Sequence, residues 1–88
     1  MDKYIQEQEQ ISLVNLVNQN KLIEAYKLES EYMKKGFVLF ECVDRLNNAF
    51  NSAKVCIENN WNTPNWIKNN KFLEQCYAHG WMLEKAKI

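Results

Sequence analysis

Apolar positions fall in four runs, each with a period close to that of a helix. In the first, Leu13, Leu16 and Val17 follow Ile11 before Asn18-Gln19-Asn20 interrupts. This predicts a helix from about Lys3 to Asn18. Its opening turns, Gln6 to Gln10, have no apolar face and are expected to be solvated or frayed. The second run places Leu22, Ala25, Tyr26, Tyr32 and Met33 near helical spacing, with Ile23 and Leu28 widening the stripe. It closes on Lys34-Lys35-Gly36. Cations beside the last carbonyls, then a glycine able to turn left-handed, form a helix stop.

The third run has the clearest period. Leu39, Val43, Leu46, Phe50, Ala53 and Ile57 are spaced 4, 3, 4, 3, 4, a heptad seam. Such a seam serves either a central core helix or self-association. Its start, Phe37-Val38-Leu39-Phe40, is by composition equally a short strand. Glu58-Asn59-Asn60 ends it. Thr63-Pro64 then reads as a new start, with the threonine oxygen capping and proline in the first helical position. A last helix is predicted from Pro64 toward Lys85, with Ile67, Leu73, Cys76, Gly80 and Leu83 on one stripe. Gly80 either ends this helix or marks close contact with another. Short connections make sequence neighbours antiparallel. The expectation is one all-α domain over residues 1–88, a compact antiparallel bundle of three to four helices, with residues 1–10 frayed.

The hairpin around Asn20-Lys21-Leu22-Ile23-Glu24-Ala25 resembles a single hairpin of the tetratricopeptide or pentatricopeptide kind. No second copy follows at a repeat spacing of about 33 to 35 residues, and a solenoid needs about three. The resemblance implies a two-helix unit and no function.

Composition narrows the classes. The 88 residues are 47% apolar and 25% charged, as in a globular chain. No apolar run approaches a membrane span. Met1 to Gln10 is polar and acidic, so no secretory leader is expected. Net charge is +0, which removes the bulk basicity of most nucleic-acid binders. Gly36 and Gly80 are the only glycines, so there is no phosphate-cradling loop, and neither HExxH nor GxSxG occurs. His79 is the only histidine. Cys76 lies one turn before it, with no third group to orient the pair. Glu29 and Glu31 fall on different helix faces. Cys42, Cys56 and Cys76 are read as buried reduced thiols in a cytoplasmic protein. A zinc site from these three and His79 lacks the close ligand pairs such sites use. The chain is therefore expected to be no enzyme and to need neither metal nor cofactor.

Twelve asparagines stand against one arginine, Arg45, and Ile, Lys, Tyr and Phe are favoured over Gly and Pro. These are residues of AT-rich codons. They point to AT-rich bacteria, their phages or mobile elements, or certain large viruses.

The segment from Asn59 to Lys71 concentrates the candidate contacts: Trp61, Trp66, Lys68 and Lys71. Its tryptophans either seal the bundle end, bind a protein, or stack on nucleic acid with the lysines at phosphates. Charge is mildly polarised, with residues 1–33 carrying three lysines and six acids and residues 61–88 four lysines and two acids. Aromatic content of 12% exceeds what so small a core needs, which favours an exposed patch. The leading expectation is a non-enzymatic module that binds a larger host protein or complex and alters its activity. Size and composition fit a phage or mobile-element accessory protein of the anti-defence or anti-CRISPR type. Tyr4 and the acidic strip Glu24, Glu29 and Glu31 are secondary contacts, and a homodimer is a further partner state. The alternatives are a small nucleic-acid-binding regulator and a homo-oligomeric structural subunit.

Overall fold

The computed structural model describes the backbone of residues 3–87 and the side chains of residues 7–87. Among these residues there are five helices and no strand: α1 (Lys3–Asn18), α2 (Leu22–Lys34), α3 (Val43–Asn59), the single-turn α4 (Asn65–Lys68) and α5 (Lys71–Ala86). The chain is an all-α helical bundle. No described helix is long and apolar enough to cross a membrane.

Three helices stop by one device. Asn20 (φ 62), Gly36 (φ 86) and Asn60 (φ 57) take left-handed backbone just past the helix end. The next amide then reaches back five residues: Lys21 N–H to Leu16 O at 2.9 Å, Phe37 N–H to Tyr32 O at 3.0 Å, Trp61 N–H to Cys56 O at 2.8 Å. This is the Schellman closure, which satisfies carbonyls the helix leaves open. Its usual apolar contact is present in α2, where the Phe37 and Tyr32 rings lie 5.8 Å apart.

α1 buries Leu13, Val14 and Val17, and with them Gln10. The polar opening run therefore does have an inward residue. Gln10 Oε1 accepts from the Glu41 N–H at 2.7 Å, and its Nε2 donates to the Glu41 carbonyl at 2.9 Å. The segment between α2 and α3 is irregular, so its peptide groups need partners from elsewhere. Gln10 supplies them at Glu41.

α3 starts at Val43, four residues later than the heptad suggested. Leu39 is packed, half-buried, outside the helix, and residues 37–40 form no strand. Glu29 sets this start from α2: its carboxylate accepts from the Val43 N–H at 2.7 Å. The buried face is Val43, Leu46, Ala49, Ala53 and Cys56, while Phe50 and Ile57 sit half-buried at its edges. Of the periodic seam, Val43, Leu46 and Ala53 are thus core.

The predicted single helix from Pro64 to Lys85 is broken. Pro64 stands at the cap position of α4 with no side-chain cap, so Thr63 does not act as one. α4 lasts one turn. Asn70 then starts α5, its Oδ1 accepting from Phe72 N–H at 3.0 Å and Leu73 N–H at 3.1 Å. Its Nδ2 donates to Glu41 Oε1 at 2.6 Å. This second role fixes where the break falls.

The break changes the topology. Residues 60–70 return along α3, so α5 sets off beside the beginning of α3 and runs in the same sense. Asn70 meets Glu41, and the Phe40 and Phe72 rings stack 5.5 Å apart; further along, Phe50 meets His79 at 6.2 Å. α1 shares this sense, since Glu7 pairs with Lys71 and Gln10 with Glu41. α2 and the return segment run the other way. Sequence neighbours remain antiparallel, as short connections require.

α3 packs more extensively against α5 than any other two helices pack together. Gly80 lies inside α5 and makes this approach close. A methyl there would collide with the Phe50 carbonyl and sit 3.3 Å from Ala53 Cβ. Gly80 therefore marks helix contact and not a helix end.

Candidate interaction surface

Trp61 is positioned by the closure of α3. Its N–H is held by Cys56 O, yet its side chain is 63% exposed. The next residue, Asn62, offers its carbonyl to the Cys56 thiol at 3.8 Å. Thr63 lies beside Tyr77. Trp61 to Thr63 thereby flank α5, and with Tyr77, Ala78, Trp81 and Met82 they line an open hollow of about 460 Å³. Trp81 is 40% and Met82 67% exposed. The Lys85 ammonium lies 4.7 Å from the Trp81 ring centroid. Tyr77 is buried at the floor. Burial raises its phenol pKa.

Trp81 and Met82 are residues that sequence reasoning missed. The signal was present: from Cys76 to Leu83, His79 is the only polar side chain. A helix apolar all round is normally covered all round. Here Cys76, Tyr77 and Gly80 face the core, while Ala78, Trp81 and Met82 stay exposed.

Trp66 sits apart from this hollow. It is carried by α4 and 41% exposed, with the Arg45 guanidinium 5.2 Å from its ring centroid. Arg45 is itself held by Glu41 at 3.0 Å. Lys68 is exposed on the same single turn. Lys71 pairs with Glu7 and lies 5.1 Å from the Phe72 ring centroid. Neither Trp61 nor Trp66 seals the core. In this segment that task falls to Ile67, the residue after Trp66, which is fully buried.

The acidic strip divides. Glu29 is engaged at the start of α3. Glu24 and Glu31 are exposed and flank a shallow groove with Leu16, Lys27 and Leu28. The side chain of Tyr4 lies outside the described residues.

A second hollow, of about 610 Å³, opens between the end of α1, Phe50 and Lys54 of α3, and His79 and Leu83 of α5. Asn18 Oδ1 is buried at this end without a hydrogen-bond partner among the described residues. His79 stacks on Phe50. Cys76 is buried, and desolvation pushes its thiol up to about 12. Burial thus keeps this thiol protonated near neutral pH. Cys56 is buried as well, but Cys42 is exposed, because it stands at the cap position of α3 outside the core. Among the described residues no three metal-ligating side chains converge. No family model, curated protein or solved structure matches the chain.

Proposed function

We propose that the chain is a non-enzymatic protein-binding module that docks on a larger protein through its return segment. The supporting observation is the exposure of Trp61 and Trp66 on a segment that is anchored by the buried Ile67 next to Trp66. Tryptophans held at the surface by a fixed backbone are the side chains that dominate protein interfaces, because they bury much area at little entropy cost. In this reading Trp66 and Trp61 are the anchors. Lys68 supplies charge at the rim, and Lys71, Glu24 and Glu31 contribute peripherally. Small size and AT-rich composition support the narrower form: a phage or mobile-element accessory protein that inhibits or modulates a host complex, of the anti-defence or anti-CRISPR type.

The test is affinity capture with the tagged chain from bacterial lysate, with and without nuclease. A stoichiometric protein that survives nuclease and is lost with Trp66→Ala, while helical content stays intact, is the expected result. Recovery that disappears with nuclease, and falls steeply with salt, would move the weight to the nucleic-acid alternative, with Arg45 and Lys68 at phosphates.

A further inference from the structure

We propose that the outer face of α5 is a docking seam for a second copy of this chain, with the two α5 helices packed antiparallel about a twofold axis. Four exposed residues form the seam: Glu74, Ala78, Trp81 and Lys85. They are spaced 4, 3, 4, the spacing of a coiled-coil stripe. The opposite face of α5 is already spent on the core through Leu73, Cys76 and Gly80.

The order of these residues selects the occupant. Let two such helices pair antiparallel about a point midway between Ala78 and Trp81. Glu74 then lies across from the second copy's Lys85, and Ala78 across from the second copy's Trp81. Opposite charges meet at both ends, and small meets large at both central positions. A parallel pairing would set lysine on lysine, glutamate on glutamate and tryptophan on tryptophan. A face complementary to itself in charge and in size is what a twofold interface requires. The same patch also holds both a knob and a hole: Met82, 67% exposed, stands beside the hollow lined by Trp61 and Tyr77. Three helical turns make a small interface, so the dimer forms in a concentration-dependent way.

Sedimentation equilibrium on the purified chain tests this. The mass is expected to rise from one chain to two across the micromolar range. Glu74→Lys and Lys85→Glu each place like charges across the seam and weaken the dimer by about tenfold or more. The double exchange restores it. Both positions are exposed, so circular dichroism should show unchanged helix content. Trp66→Ala, which changes none of the four seam residues, is expected to leave the mass unaltered, so failure of partner docking and failure of self-association are read separately. A mass of one chain at every concentration overturns the proposal. So does a dimer that ignores both single exchanges, or a double exchange that stays monomeric.

Discussion

Gln10 and Glu41 are joined as two peptide groups are joined in a sheet. The Gln10 amide accepts from one side of the Glu41 peptide and donates to the other, at 2.7 and 2.9 Å. The pair links α1 to the irregular segment before α3, and Glu41 passes the connection to Asn70 and Arg45 through its carboxylate. Gln10→Ala leaves two backbone groups of Glu41 without partners, at about 1–3 kcal/mol each. A loss of about 2–3 kcal/mol in urea unfolding is expected, and Gln10→Glu should cost more by burying a charge. A loss within measurement error would show that water replaces the amide.

Gly80→Ala should destabilise, although exposed mid-helix positions gain up to about 1 kcal/mol from the same change. The added methyl meets the Phe50 backbone, which cannot rotate away. A cost of about 1–3 kcal/mol follows from overpacking. Gly36→Ala serves as comparison. Its Cβ would meet nothing within 4 Å, and only the left-handed backbone opposes it, at about 1–2 kcal/mol. A higher Tm for Gly80→Ala would mean that α3 and α5 stand further apart.

Thiol chemistry should separate the three cysteines. Cys42 is exposed and should react with an aromatic disulfide reagent in the folded chain; Cys56 and Cys76 should react only on unfolding. Cys42→Ser should abolish the fast phase. Cys76 also sets an alkaline limit. Its thiol rises from a usual 9.0 to about 12 on folding. Below pH 9 both states hold the proton, and the full stability is present. Between pH 9 and about 12 the unfolded chain ionises there and the folded chain does not, so stability falls across that window. The raised phenols of Tyr32 and Tyr77 act in the same direction at the upper end. Cys76→Ala should flatten the fall between pH 9 and 10, where the tyrosines contribute least, and an unchanged slope would remove Cys76 as its source.

Tryptophan fluorescence should report an open surface. Trp61, Trp66 and Trp81 are 63%, 41% and 40% exposed, so acrylamide should quench the folded chain strongly. Trp61→Phe should remove the most accessible share. Weak quenching at low concentration would instead mean that these rings are covered within one chain.

The limits of α1 and α2 were legible in the sequence because punctuation and period agreed there. Asn18-Gln19-Asn20 and Lys34-Lys35-Gly36 end helices by local chemistry that needs no tertiary partner. In α3 the reading chose the wrong edges. The predicted seam found the buried Val43, Leu46 and Ala53 but took in the half-buried Leu39, Phe50 and Ile57 and passed over the buried Ala49 and Cys56; the smallness of Ala53 matters because Gly80 lies opposite. The break at Asn70 was hidden for a similar reason. An asparagine among many becomes a cap when Glu41, far away in sequence, holds its amide. Of the candidate contacts, Trp61, Trp66 and Lys68 are exposed as a binding role needs. Trp81 and Met82 stand out only as part of a helical run, Cys76 to Leu83, that is apolar except at His79.

The shared direction of α1, α3 and α5 has an electrical consequence. Helix dipoles that alternate in direction cancel, but those of three co-directional helices add, leaving one end of the molecule partly positive and the other partly negative. Carboxylates stand where α3 and α5 begin, at Glu29, Glu41, Asp44 and Glu74, and lysines where α5 ends, at Lys85 and Lys87. A chain of zero net charge is thus built from opposed fields, each end of the helix array offset by side chains of the contrary sign. Neutralising those carboxylates would expose the field of several helix starts at once and turn that end into an attractor for anions.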